Sequence, residues 1–245
     1  MKSESSSRPG VVITRPIDQS RMLAGKLQFL GYKVFLSPLL EIIPIPKRLN
    51  LSPVQAIVFT SANAIVPFSK ANSERNLPVY AVGKATARVA EIFNFNNISI
   101  GKQNAESLIG QIVNKHSPKD GLILHISGET VTSSVEKVLL KHGFRVERQI
   151  LYRAEAATRL CSGAIKAIKT GEVKIILFFS PRTAKIFVNL MKMEGYERFC
   201  SDMIALCLSD SVASNLPFNV WKKILVADAP QTDAMIEALK EALPL

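Results

Sequence analysis

The chain has 245 residues, 47% hydrophobic and 21% charged, with a formal net charge of +11. That length gives one large domain or two small ones, each able to bury a core, and no apolar run reaches the roughly 18 residues of a membrane span. The positive charge invites a polyanion, but the basic residues are scattered and aromatics are only 7%, too few for a series of base-stacking platforms. A cleft for a small polyanion is therefore favoured over a nucleic-acid groove, and neither nucleic acid nor membrane is expected as a partner. The three cysteines, Cys161, Cys200 and Cys207, form no C-x-x-C pair and read as reduced thiols of a cytoplasmic protein. The residues from Met1 to Gly10 are polar and Ser-rich, which reads as a frayed tail and not as a secretory signal.

Val11–Ile13 is a short apolar strand ending in Thr14-Arg15-Pro16. Asp18 can cap the next helix, which turns Met22, Leu23, Leu27 and Leu30 to one face and stops at Gly31. A strand at Val34–Leu36 leads into Ser37–Pro46, whose prolines suit an extended connector or an edge strand. Ala56–Phe59 is a buried strand that ends abruptly in Thr60-Ser61-Ala62-Asn63, and Ile65, Val66 and Phe68 follow at helical spacing. Strands are expected at 79–82, 98–100 and 122–126, with helices from about 84, over 105–115, and from Gly128, Thr130 and Thr132 to Gly143. Phe144–Arg153 alternates as an extended strand. A helix over 158–170, strands 175–179, 204–208 and 221–227, and a last helix over 231–243 complete the chain. Alternating strands and helices mean parallel sheets with helices on both faces.

The chain repeats itself. Ser180 falls over Ser61, Arg182 over Asn63, Phe187 over Phe68 and Ser211 over Thr86, and Thr232–Ile236 falls over Ala105–Ile109. The N-terminal strand-helix-strand matches a later one, with Gly31 under Gly143, Val34 under Val146, Leu27 under Leu139 and Ser20 under Thr132. Two related domains account for this. One is discontinuous, 1–37 plus 155–245; the other is 47–145. The chain crosses between them along the connectors 38–46 and 146–154, which can pair.

Candidate site residues lie in the turns after the strands, where ligands bind in open α/β sheets. Arg15, Ser61, Asn63, Lys84, Thr86, Ser127, Ser180, Arg182 and Ser211 supply hydroxyls, helix-start amides and positive charge. Facing each other across two domains they would ring a cleft for several carboxylates. Tyr152, at the end of the second connector, can cover the hinge with its ring or act as a general acid. His125, within a strand, reads as a buried, hydrogen-bonded side chain; His116 and His142 read as surface residues. No P-loop, nucleophile elbow, dinucleotide fingerprint or metal-ligand spacing is present.

The ordered set Thr14-Arg15-Pro16, Gly31, Pro38 to Ile42, Phe59-Thr60-Ser61-Ala62-Asn63-Ala64, Ala81-Val82-Gly83-Lys84-Ala85-Thr86-Ala87, Tyr152-Arg153, Phe179-Ser180-Pro181 and Ala227-Asp228-Ala229-Pro230 resembles the uroporphyrinogen-III synthase family over nearly the whole chain. The resemblance implies two similar parallel-sheet α/β domains of flavodoxin-like type, joined by a two-stranded β-ladder. It implies a cyclising lyase of haem biosynthesis that closes hydroxymethylbilane with inversion of ring D and loss of water. No metal and no cofactor are implied. The substrate's eight carboxylates suit a basic chain. A cytoplasmic monomer, taking its substrate from hydroxymethylbilane synthase, is the expected setting. Tyr152 matches the family's candidate acid, and Ser61, Thr86 and Ser180 match positions lining the cleft. Leu208-Ser209-Asp210-Ser211 departs from the Gly-x-x-Thr turn usual in the second copy, and Asp210 puts a negative charge there. The alternative of a different class is a non-catalytic two-domain binding protein for an anionic small molecule.

Overall fold

The computed structural model describes residues 8–45, 47–101, 105–130 and 135–245, with 105 and 106 described by their backbone alone. The first seven residues of the expected tail, Pro46 of the first connector and the helix start at Thr132 lie outside the described residues. In chain order the first elements are β1 (Gly10–Ile13), α1 (Ile17–Phe29), β2 (Lys33–Leu36), β3 (Leu40–Pro44), β4 (Val54–Phe59), α2 (Ile65–Ala71), β5 (Val79–Ala81), α3 (Lys84–Ile92), β6 (Ile98–Ile100) and α4 (Ala105–Lys115). There follow β7 (Leu122–Gly128), α5 (Val135–Lys141), β8 (Arg145–Ala156), α6 (Ser162–Lys169), β9 (Val173–Phe178), α7 (Pro181–Met193), β10 (Ile204–Cys207), α8 (Asp210–Ala213), β11 (Lys223–Val226) and α9 (Thr232–Ala242).

The chain divides into two compact units. Unit 1 takes the described residues up to Glu41 together with Glu155–Leu245; unit 2 takes Ile42–Ala154. The sheet of unit 1 is parallel throughout, in the order β11-β10-β9-β1-β2. The second sheet runs β3-β8-β7-β4-β5-β6, with the pairs from β8 to β6 parallel. The proline-flanked strand β3 sits at its edge, where a missing N–H is tolerated, and just beyond it Ile45 N–H donates to the Leu151 carbonyl (2.8 Å).

Both sheets have one plan. The spatial order β2-β1-β9-β10-β11 in unit 1 corresponds strand for strand to β8-β7-β4-β5-β6 in unit 2. The registers coincide as well: Ile13 lies opposite Leu177, and His125, in the same place on β7, lies opposite Val58. The cores repeat too. Phe59 and Phe68 meet edge to face with centroids 5.6 Å apart, and their counterparts Phe178 and Phe187 do so at 5.3 Å. Phe95 completes the first cluster and Trp221 the second. Burying each such ring contributes about 1.5–3 kcal/mol, and edge-to-face contact adds to this.

Some boundaries differ from those read in the sequence. Helix α6 starts at Ser162 and not near 158, since residues 157–161 form an irregular segment whose Cys161 N–H is held by the Ser37 hydroxyl (3.1 Å). Trp221 stands just before β11 with its ring in the core. Strand β8 runs on to Ala156 and is a full member of the second sheet.

Candidate active site

In an open α/β sheet, ligands bind at the carboxyl ends of the strands, at the point where the winding reverses. In unit 1 that point lies between β1 and β9. Thr14, fully buried, donates its hydroxyl to the Leu177 carbonyl (2.7 Å) and ties the two strand ends together. Arg15 comes next. Its Nε donates to Gln19 Oε1 (2.9 Å) and its Nη1 to Thr232 Oγ1 (3.4 Å), and its guanidinium stacks 4.6 Å from the Phe179 ring centroid. No carboxylate pairs with Arg15 among the described residues. Burial lowers its pKa to about 10. A half-buried cation with no carboxylate beside it leaves part of its charge uncompensated.

Beside it, Ser180 caps the thirteen-residue α7, its Oγ accepting from Thr183 N–H (3.2 Å), with Pro181 opening the helix. Arg182 is exposed on the first turn of α7. One strand further out, the exposed Ser211 shares a hydrogen bond with Ser209 (2.9 Å) beside Asp210.

In unit 2 the winding reverses between β4 and β7. Ser61 Oγ accepts from Asn63 N–H (3.3 Å) and holds the 3-10 turn Ala62–Ala64 that precedes α2. After β5, Gly83 precedes α3, with Lys84 exposed and Thr86 buried on its first turn. At the end of β7, Ser127 is buried; its hydroxyl accepts from Arg148 Nε (2.8 Å) and donates to the Gly128 carbonyl (3.1 Å). That hydroxyl is committed within the protein. A register shift between Ser127 and Gly128 sets Gly128 opposite Tyr152. Tyr152 is 8% exposed, with its ring packed over Gly128. Among the described residues its hydroxyl has no hydrogen-bond partner, and it does not belong to the fully buried unpartnered groups.

The candidates read from the sequence therefore fall into two rims. Arg15, Ser180, Arg182 and Ser211 follow β1, β9 and β10; Ser61 and Asn63 follow β4, Lys84 and Thr86 follow β5, Ser127 lies near the end of β7 and Tyr152 lies on β8. Sequence reasoning missed Thr232, the partner of Arg15, although the repeat had marked its helix start. It also missed the surroundings of His125. That imidazole is fully buried and hydrogen-bonded, as expected, but its partners are Thr60 Oγ1 (3.0 Å) and Glu136 Oε1 (2.7 Å), the latter on α5. His116, expected at the surface, is half-buried, bonded to Gln55 Oε1 (3.1 Å) and Tyr80 Oη (2.9 Å). Among the described residues no group of three His, Cys, Asp or Glu side chains could hold a metal, and no helix is long and apolar enough to cross a membrane.

The family model described as uroporphyrinogen-III synthase HemD matches residues 21–237. The chain belongs to the uroporphyrinogen-III synthase HemD family. A relative named porphyrin biosynthesis protein HemD, from Ruminiclostridium josui, is 24% identical over 258 residues, covering 94% of this chain and 48% of its own length. The chain thus spans about half the length of that relative. Among solved structures, uroporphyrinogen-III synthetase from Helicobacter pylori matches with a TM-score of 0.64 at 20% identity, covering 96% of this chain and 99% of the other. A mutant uroporphyrinogen III synthase from Thermus thermophilus matches with a TM-score of 0.53 at 15% identity, covering 96% and 98%. These likenesses show the fold: each unit is built on the α/β plan of HemD proteins.

Proposed function

We propose that this chain is a uroporphyrinogen-III synthase, a lyase that cyclises hydroxymethylbilane with inversion of ring D and loss of water in haem biosynthesis. The observation that carries the reading is the family match over 21–237, which takes in strand ends of both units. The rims are its physical support. A substrate with eight carboxylates needs cations and amide donors more than it needs nucleophiles. Arg15 is a half-buried cation with room in its electrostatics for an anion, Lys84 and Arg182 are exposed cations at helix starts, and α3, α7 and α9 begin at the rims with the positive ends of their dipoles. Ser61, Asn63, Thr86, Ser180 and Ser211 add short polar groups that bring substrate close to these amides.

The chemistry asks little covalent work of the protein. The hydroxyl of hydroxymethylbilane leaves with a proton as water, and the azafulvene so formed is attacked by the substituted carbon of ring D. The spiro intermediate opens, ring D turns over, and closure gives uroporphyrinogen III. Tyr152 is the proton donor in this reading: its ring is fixed in the core while its hydroxyl has no hydrogen-bond partner among the described residues. Selectivity comes from holding the reacting ends, a proximity effect. The three cysteines are all unpaired, in keeping with a cytoplasmic setting, and the protein acts as a monomer on substrate released by hydroxymethylbilane synthase.

A turnover experiment tests the reading. Hydroxymethylbilane is mixed with one-hundredth of an equivalent of protein, and its disappearance is followed against the spontaneous rate. A synthase clears all of it faster than the blank. A binding protein for an anionic small molecule leaves the rate unchanged.

A further inference from the structure

The deepest polar cluster of unit 2 lies at its winding-reversal point. Thr60 Oγ1 meets His125 Nε2 at 3.0 Å, and His125 Nδ1 meets Glu136 Oε1 at 2.7 Å. Arg148 Nε stands 3.8 Å from the same carboxylate oxygen. The arginine goes on to Ser127 Oγ (2.8 Å) and to the carbonyls of Gly128 (2.6 Å) and Glu129 (2.8 Å). One chain of contacts thus joins the turn after β4 to the backbone on which Tyr152 rests.

Unit 1 shows that the fold does not need it. Sheet register sets Ile13 in the place of His125 and Leu36 in the place of Arg148. The repeat sets Phe179 in the place of Thr60, one residue before Ser180 as Thr60 is before Ser61, and Ala24 in the place of Glu136, three residues before Leu27 as Glu136 is before Leu139. All four belong to one apolar cluster, with Ile13 and Ala24 in its core and Leu36 and Phe179 packed against it. The same positions are closed in one unit by hydrocarbon and in the other by a fully buried imidazole with a half-buried hydroxyl, carboxylate and guanidinium around it. Burying such groups costs free energy that hydrocarbon does not. Stability alone gives no reason for the polar version.

We infer that His125 is a positioning residue, held by Glu136 as the neutral Nδ1–H tautomer so that Thr60 donates its hydroxyl inward and presents an acceptor to the rim. For a neutral ring the assignment follows from donor counting. An ionised carboxylate only accepts, so Nδ1 carries the hydrogen; Nε2 is then bare and must accept from Thr60. The remaining lone pair of Thr60 Oγ1 is left for a donor. Under the reading of the chain as a synthase, on which this inference rests, the substrate offers such donors in its pyrrole N–H groups. Protonation of His125 reverses the polarity: Nε2 then donates, and the Thr60 hydrogen turns outward. The charged groups facing the imidazole are Glu136 from α5 and Arg148 from β8. Burial, the largest influence, holds the His125 pKa below 6.5, with Glu136 opposing it, so the neutral form prevails at pH 7.

Thr60→Val keeps the shape and removes the hydroxyl; Thr60→Ser restores it. The expected result is a kcat/KM about tenfold lower for Thr60→Val and within about twofold of the wild type for Thr60→Ser, the loss matching one hydrogen bond. Glu136→Gln removes the charge that favours the imidazolium, so the acid limb of kcat/KM moves to lower pH. Folded Thr60→Val and Glu136→Gln proteins with unchanged kcat/KM and an unmoved acid limb would overturn the inference and leave the cluster as packing. The 15N signals of the His125 ring test the tautomer without turnover, so they speak even if the wild type makes no uroporphyrinogen III and the functional reading itself fails. A bare Nε2 and protonated Nδ1 at pH 7 are expected; an Nε2–H tautomer or a cation at pH 7 would overturn the inference.

Discussion

Gly128 and Tyr152 are in contact as only a glycine permits: a Cβ built on Gly128 would stand 2.6 Å from Cζ and 3.0 Å from Oη of Tyr152. The obstacle is a ring fixed in the core and not the end of a flexible chain. Gly128→Ala must therefore displace the ring, at a cost of about 1–3 kcal/mol from overpacking. The expected outcome is a lower unfolding midpoint in urea and a kcat reduced along with it. Tyr152→Phe keeps the ring and its packing. It should leave the midpoint in place and lower kcat about 100-fold if the hydroxyl is the acid. Nearly full activity in Tyr152→Phe would remove the general-acid role and leave Tyr152 as packing.

Arg15 carries a cost that a ligand can repay. Burial lowers its guanidinium from the ordinary arginine range to about 10, so the unfolded chain holds that proton more tightly than the native one. The half-buried charge therefore opposes folding below about pH 10, and the opposition fades as pH rises above 10. Arg15→Gln is expected to keep or raise the thermal midpoint of the free protein. Its KM should rise about tenfold, the loss of one charge-assisted hydrogen bond. Thermal shift with a polycarboxylate checks both: the ligand should stabilise the wild type more than Arg15→Gln.

The thiols should separate cleanly. Burial raises Cys200 and Cys207 to about 12, with Glu197 adding to the effect at Cys200, while Cys161 is exposed. Thiolate is the reactive form. Native protein at pH 8 should therefore give one rapidly alkylated cysteine, and denatured protein three. Rapid reaction of Cys207, which sits within β10, would mean that unit 1 opens far more readily than its packing suggests.

Acid should destabilise unit 2 first. His125 and His116 are both held below 6.5, chiefly by burial, so the unfolded chain binds more protons in the window between the native pKa values and 6.5. Stability contributed by the neutral imidazoles is present above 6.5 and is lost as pH falls through the lowered values. Thermal midpoints measured downward from pH 7.5 should hold and then decline below 6.5. Amide exchange should place the earliest loss of protection in β4 and β7, whose ends His125 joins.

Much of the fold was legible because its signals are local. Apolar runs such as Ile175–Phe178 and stops such as Gly31 and Gly143, both at positive φ, mark strands and helix ends without tertiary information. The repeat, with Ser180 over Ser61, marked two related series of strands and helices, but the strand order within each sheet depends on tertiary pairing and was not read from it. The rims were legible at Arg15, Ser61 and Ser180 because they follow directly from strand ends. The Thr60–His125–Glu136–Arg148 cluster was not. Its members are brought together from β4, β7, α5 and β8 by parallel pairing, and nothing in the local pattern around Glu136 announces a partner eleven residues earlier. The commitment of Ser127 to Arg148 was hidden for the same reason: a hydroxyl at a strand end looks alike in sequence whether it faces ligand or guanidinium.

The isomer composition of the product decides whether this protein closes the ring with inversion. Hydroxymethylbilane is generated in place, with and without this protein, and the oxidised porphyrins are separated. Uroporphyrin III is expected as the dominant product with the protein and uroporphyrin I without it. Uroporphyrin I in both reactions, formed at the same rate, would contradict inversion by this protein.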